Sequence, residues 1–419
     1  MNCLQEIPLK QHTPIIQYQY NQEGATLRAS DIKPRLDKYL NETILNKYYE
    51  SAVLTSGIKG VISEQAGRMK NKRSSLYQID IESSDKNELE IKREGRGDRS
   101  LYFGDIKKML LYKQNKIIVK SFYPELIEAI KLTLPIMFMF ENFGTRQNKG
   151  YGSYTVDGQE IEKILKKCEA DSVYYFDISK NKEDDNEIFY RLFKGIYYFY
   201  NTIKGGVNED FNKREKDKYS KSLLFKYLKN KNPDLIWEKR LLKLELGNNK
   251  DFDSVKNNND TMLIRHVLGL SDTYSFTQKK NVRMDTEDYS PRNGKTVEND
   301  MINIDKGFQF KLKNDDYDRI PSPIFIKPIK QANEFRVYII LKPDQINNIS
   351  FKISKEYKLG TKPIPIGNFN RSGSYSLKCI NDFNLIDFFE NDVCKKFNSQ
   401  TRSSFINKFV KDIKLEKLV

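Results

Sequence analysis

Cysteine and histidine are scarce in this chain, and their scarcity closes several routes to chemistry. The four cysteines, Cys3, Cys168, Cys379 and Cys394, lie far apart with no C-x-x-C pair, so neither a disulfide framework nor a zinc ribbon is indicated. Reduced thiols are expected. The only histidines are His12 and His266, and no H-E-x-x-H is present, which leaves little for acid–base or metal catalysis. Long apolar runs are missing too: the opening MNCLQEIPLKQHTP has no signal core, and the most apolar run, 132–140, is too short to span a bilayer. These absences lead us to expect a cytoplasmic protein with no membrane association and no cofactor.

Basic charge and aromatic side chains are abundant instead. Lys and Arg number 72 against 57 Asp and Glu, and a formal charge of +15 attracts polyanions, phosphate backbones above all. The many acids imply basic patches on a mixed surface; a general solubility charge is the plainer alternative. The hydrophobic share is only 38%, but 25 Tyr and 25 Phe supply core-forming side chains that disordered chains lack. At 419 residues the length suits two domains.

Read along the chain, a strand is expected at 13–19, then a turn at Gly24 and a helix with Ser30 as cap and Pro34 in its first turn. The polar, Gly-bearing stretch 55–73 reads as an insertion that orders only inside a complex. SSLYQIDIES alternates as a strand, KKMLLYKQNKIIVKSFY reads as a strand region containing a turn, and Pro124 opens an apolar helix. With the loop GTRQNKGYGSYTV leading to a last strand, this is the order of a ferredoxin-like unit over residues 1–160. A second such unit is expected over 161–419. Its strands are DSVYYFDIS, SPIFIKPI and EFRVYIIL, and its aromatic helix IFYRLFKGIYYFYNTIK is read as packing more readily than as a stacking platform. A helical insertion at about 207–270, a mobile loop at about 273–314, a sparser glycine-bearing loop in IGNFNRSGSYS and a closing helix complete it. The fold class is therefore α+β: two tandem ferredoxin-like (RRM-like) domains with helical and loop insertions.

The most informative segment is NFGTRQNKGYGSY, where Gly144, Gly150 and Gly152 surround Arg146, Lys149 and Tyr151 directly after a helix. Glycines let backbone N–H groups approach an anion, Arg and Lys neutralise phosphate, and Tyr can stack. The pattern is neither G-x-G-x-x-G opening a helix nor a P-loop ending in G-K-S or G-K-T. A helix-to-strand connection that simply needs positive φ is the structural alternative.

This loop, standing as Gly144, Arg146, Gly150 and Gly152, resembles the G-x-R-x-x-x-G-x-G loop of the RAMP superfamily of CRISPR proteins. Within that superfamily the chain is most similar to the two-domain RAMP subunit of the type III-B (Cmr) effector. Three segments carry the likeness further: HTPIIQY resembles a first-strand T-P motif, GATLRASDIKPRLDKYL an L-R-x-x-S-I-K segment, and RIPSPIFIKPIK a later S-P-L-x-I-K-x-x-K strand. The resemblance implies a non-catalytic subunit that holds the 3′ part of a guide RNA (crRNA) and helps capture target RNA beside other RAMP subunits, through backbone contacts and shape. Candidate RNA contacts are then Arg28, Lys33 and Arg35, the loop residues Gly144, Arg146, Lys149, Gly150, Tyr151 and Gly152, and Lys327 and Lys330.

Two other readings stay open. A RAMP-fold endoribonuclease would use His12, with Lys or Tyr as partners, for guide processing or target cleavage. A scaffold subunit would meet acidic protein surfaces without touching RNA. The D-x-D triplets Asp251/Asp253 and Asp316/Asp318 lie in charged stretches where solvated acids are the commoner explanation.

Overall fold

A computed structural model describes residues 3–17, 25–90, 108–167, 173–179, 185–208, 219–235, 262–269, 273–276, 282–283, 301–302, 308–313, 321–332, 334–342, 351–359, 362–364, 376–379, 383–399 and 413–418. The D-x-D triplets and most of IGNFNRSGSYS lie outside these residues.

The first half begins with strand β1 (Cys3–Gln11), earlier than the expected 13–19. Alternation fixes it: Ile7 and Leu9 are buried while Leu4, Glu6, Pro8 and Lys10 are exposed. Helices α1 (Ala29–Tyr39), α2 (Glu42–Tyr48) and α3 (Ser56–Lys70) follow. The last of these replaces the expected insertion. Thr55 caps α3 by accepting from the Ile58 N–H, and Ile58, Ile62 and Gln65 bury one face, so packing outweighs the cost of its three glycines. Strands β2 (Tyr77–Glu90) and β3 (Lys108–Ser121) pair antiparallel, and β3 runs through the position where a turn was expected. Helix α4 (Pro124–Phe140) opens on its proline, and Leu126, Ile130, Leu134 and Met137 supply a fully buried stripe. Strand β4 (Tyr154–Val156) closes an antiparallel sheet of order β2-β3-β1-β4.

After the short helix α5 (Ile161–Lys166) the pattern repeats. Strand β5 (Val173–Ser179), helix α6 (Asp185–Tyr200), strands β6 (Ile324–Lys330) and β7 (Glu334–Leu341), a helical stretch over 389–398 and strand β8 (Glu416–Lys417) make a second sheet of order β6-β7-β5-β8. All its pairs are antiparallel. Counted from its own first strand, each sheet has the order 2-3-1-4 with β-α-β-β-α-β connectivity.

The compact units divide elsewhere than at residue 160. One unit comprises Met1–Ser220, Ile324–Lys342 and Phe389–Val419, and so holds both four-stranded sheets. The other, Lys221–Pro323 with Pro343–Phe388, is the chain inserted into the second repeat at two points. It contains helix Leu223–Lys231, capped by Ser222, and a sheet in which strand Phe308–Lys313 pairs with Thr273–Phe276 and Phe351–Leu359. The described parts of the expected loop 273–314 are therefore strands, whose edges are satisfied by partners distant in sequence. In the expected helical insertion, TMLIRHVLGLS forms only a short strand, Met262–Leu263, and one 3-10 turn, Arg265–Leu268.

The first unit's core is closely packed, so a void at the centre of α4 is costly. Ile130→Ala is expected to destabilise the chain by about 2–5 kcal/mol, seen as a lowered denaturant midpoint. A midpoint unchanged from the parent would place Ile130 outside the core.

Candidate nucleic-acid interface

The glycine loop runs from the end of α4 into β4, and its conformation is held from several sides. Gly144, Gly150 and Gly152 all have positive φ, as does Arg146 at 58°. A Cβ at Gly152 would lie 1.9 Å from the Phe143 carbonyl oxygen, and one at Gly144 would lie 2.3 Å from that of Ile16. Only glycine fits at these two points. The segment HTPIIQ lies extended against the loop: Gly152 N–H donates to Pro14 O (2.8 Å), Thr145 N–H to Ile16 O (2.6 Å) and the Thr13 hydroxyl to Gly150 O (2.7 Å). That use of backbone groups explains why residues 12–16 are buried without forming the strand expected there.

Helix α1 contributes Arg35. Its guanidinium donates to Asn142 O (2.6 Å) and Gln147 Oε1 (3.0 Å), approaches Glu141 at 3.5 Å and lies 4.6 Å from the Phe143 ring centroid. Arg35 thus braces the loop from beneath. Strand β6 contributes Lys327, which is fully buried. Its ammonium donates to Glu141 O (3.0 Å), Asn142 Oδ1 (3.1 Å) and Tyr154 O (2.9 Å). Burial pulls its pKa well below the usual lysine range, while three converging acceptors suit the three N–H groups of the charged form. Asn142 Nδ2 donates to Ile326 O (2.9 Å) and the Ser153 hydroxyl to Pro328 O (2.7 Å), so β6 grips both ends of the loop.

These contacts correct two expectations. Lys327 is no surface phosphate contact, because its three donors are consumed inside the core. Tyr151 is no open stacking surface: it is 2% exposed, and its ring lies face to face on Phe193 of α6 at 3.8 Å and 4°. Gly150 is likewise buried, under Pro328. Lys33 is half-buried, with its ammonium 3.0 Å from Tyr77 O and 5.0 Å from that ring centroid. Arg28 is the half-buried N-cap residue of α1, and Lys330, at the end of β6, places its ammonium 5.6 Å from the Phe189 ring centroid. Arg146 and Lys149 sit half-exposed on the outer turn of the loop, where burial and the Arg146 charge push the Lys149 pKa down to about 8.

His12 is enclosed in this arrangement. It is 1% exposed; Nδ1 accepts from the Lys330 N–H (3.0 Å), which leaves Nε2 as the protonated nitrogen facing Thr155 Oγ1 at 2.8 Å. Burial, followed by Lys327, Lys10 and Lys330, holds its pKa well below the ordinary value. Among the described residues no group of three or more His, Cys, Asp or Glu side chains is placed to hold a metal, and no helix is long and apolar enough to cross a membrane.

The four segments that carried the resemblance thus meet at one loop, and the sequence matches family descriptions over most of its length. Residues 2–207 match the Cmr1 N-terminal domain and residues 219–415 the Cmr1 C-terminal domain. The chain belongs to the Cmr1 family. It is accordingly a subunit of a type III-B CRISPR (Cmr) effector complex and a RAMP protein. Among solved structures, a crystal structure of Cmr1 from Pyrococcus furiosus in its apo form is similar at 10% identity, over 81% of this chain and 88% of that one, with a TM-score of 0.36. No curated protein matches the sequence. In this chain the residues least visible from sequence are Asn142 and Lys327, since an ordinary Asn and Lys become loop anchors only when β6 arrives beside α4.

Two outcomes follow from the geometry. Lys327→Ala leaves three buried acceptors without a donor and is expected to cost on the order of 3 kcal/mol or more, with Lys327→Met little better; thermal unfolding of both variants is the check. His12 binds a proton more readily in the unfolded chain, near pH 6.5, than in the folded one. Its contribution is therefore intact above that pH and lost as pH falls through it. A His12→Gln variant should show a shallower drop in melting temperature than the parent between about pH 7.5 and 5.5; equal slopes would contradict a buried neutral His12.

Proposed function

We propose that this chain is a non-catalytic, RNA-holding subunit of its Cmr complex, gripping the 3′ part of the guide RNA and helping to admit target RNA. Both β-α-β-β-α-β repeats are read as ferredoxin-like, and the assembly as cytoplasmic. The observation that carries the reading is the loop itself: a glycine-shaped turn, braced by Arg35 and Lys327, that leaves Arg146 and Lys149 half-exposed. Neighbouring cations on a rigid turn favour a phosphate backbone through charge and shape, without reading bases.

The absence of catalysis is part of the same proposal. What supports it is the burial of His12, whose ring nitrogens both face protein partners, so that no proton on it is within reach of a bound ribose.

The test is purification of the full chain from cells carrying the complete complex, followed by sequencing of the bound RNA. Uniform guide RNAs together with other RAMP subunits, with guide recovery reduced several-fold for Arg146→Ala/Lys149→Ala, are expected. A chain that emerges within the complex but with unchanged RNA in the double variant would remove the loop from the RNA path.

A further inference from the structure

Two lysines at the second sheet are drawn away from solvent, and their surroundings differ. The Lys327 ammonium is met by three acceptors. Lys342, the half-buried residue that follows β7, is met by none: its ammonium lies 4.6 Å from the Phe325 ring centroid and, among the described residues, makes no hydrogen bond and no ion pair. A ring face attracts the charge but gives the ammonium no oxygen for its three N–H groups.

The elements that meet at Lys342 account for the charge around it. Ile324 pairs with Leu341, so β6 begins where β7 ends. Helix α4 brings its C-terminal Glu141 to the same corner, and α1 brings the last turn, which carries Lys38 and Tyr39. The Tyr39 hydroxyl donates to Glu141 Oε1 (3.3 Å), and Arg35, one turn earlier, approaches Glu141 Oε2 at 3.5 Å. Burial lowers the Lys342 pKa; the Glu141 carboxylate acts against that shift and the Lys38 charge adds to it. Lys38 is exposed, and among the described residues it too has neither a hydrogen bond nor an ion pair. Arg35, Lys38 and Lys342 thus gather about one carboxylate that Arg35 and Tyr39 already engage. Positive charge is left over at a place partly withdrawn from water, with N–H donors unused. A phosphodiester suits that corner, since it brings one negative charge and two free oxygens to two ammonium groups. A protein carboxylate would bring the same charge, but what adjoins the corner favours RNA. Arg35 also donates to Gln147, so one guanidinium links the corner to the glycine loop. A backbone that repeats its charge at every nucleotide can serve both places, whereas a lone acidic side chain cannot.

We propose that Lys38 and Lys342 together clasp one backbone phosphate of single-stranded RNA at the corner where α1, α4, β6 and β7 meet. The inference rests on the RNA-holding reading above and adds to it a contact outside the glycine loop. Contact with a phosphate requires no particular base, so the clasp accepts any RNA sequence.

The experiment is fluorescence anisotropy of the full-length chain with a labelled single-stranded RNA of about twelve nucleotides, within the span of one binding module, across a series of salt concentrations. Lys38→Gln/Lys342→Gln removes one phosphate contact and should reduce the steepness of log affinity against log salt by about 0.7. Lys47→Gln/Lys70→Gln removes the same charge from exposed positions on α2 and α3 and should keep the slope of the parent. In parallel, acylation of lysines in the unmodified chain by an N-hydroxysuccinimide ester is mapped by mass spectrometry with and without the RNA. Lys38 and Lys342 are expected to be protected several-fold, and Lys47 and Lys70 to react as before. A slope unchanged in Lys38→Gln/Lys342→Gln would overturn the clasp. So would RNA that protects Lys149 but neither Lys38 nor Lys342, a result that leaves the loop reading intact and needs no variant to fold. Protection of the two lysines by polyglutamate and not by RNA would assign the corner to a protein carboxylate and overturn the proposal. A parent chain to which no RNA binds at any salt concentration would overturn both the clasp and the reading it rests on.

Discussion

The ammonium of Lys327 sets the constraint on which the rest of the first unit depends. A lysine with no exposed surface is tolerated only where acceptors converge, and here all three come from the glycine loop and its ends: Glu141 O and Asn142 Oδ1 at the exit of α4, Tyr154 O at the start of β4. Because Lys327 belongs to β6, the first sheet's loop is completed by a strand of the second. The two repeats thus share one compact unit. Separating them would strand both a buried charge and the carbonyls it serves.

A loop tied in this way has few remaining freedoms. Gly144 and Gly152 are pressed against backbone carbonyls, Tyr151 is stacked beneath α6, and Arg35 is spent on Asn142, Gln147 and Glu141. What faces outward is a short turn bearing Arg146 and Lys149. Basic residues on the outer face of the first sheet are in a different position, because Lys116 pairs with Glu6 and Glu82 at 3.0 Å and Lys120 with Asp80. Such exposed pairs add little stability, but they cancel the local field. The excess positive charge of the chain is therefore not equally available everywhere on the first unit.

Much of this architecture was legible in advance where one periodicity dominates. Pro124 and the broad apolar stripe behind it marked α4, and the runs that became β5, α6, β6 and β7 were each dominated by apolar and aromatic residues. Errors fell where two signals competed. The apolar Pro14, Ile15 and Ile16 suggested a strand, but backbone groups of residues 12–16 serve the loop, and the true first strand is Cys3–Gln11, about half of whose side chains face outward. The glycines of 56–70 read as a loop, though Thr55 and the buried Ile58 and Ile62 suffice for a helix.

By itself, the sequence determined the local chemistry: three glycines around an Arg, a Lys and a Tyr, a surplus of cations, and only two histidines. Backbone conformation at a glycine, net charge and helical or strand periodicity are properties of neighbours along the chain, so they can be read from it. Tertiary structure alone decided which of those groups remain accessible. Lys327 and Lys330 are three residues apart on one strand, yet the first is enclosed by the loop and the second lies at the strand's half-exposed end. Burial of a charge depends on the acceptors that long-range packing delivers, and no pattern within the strand encodes them.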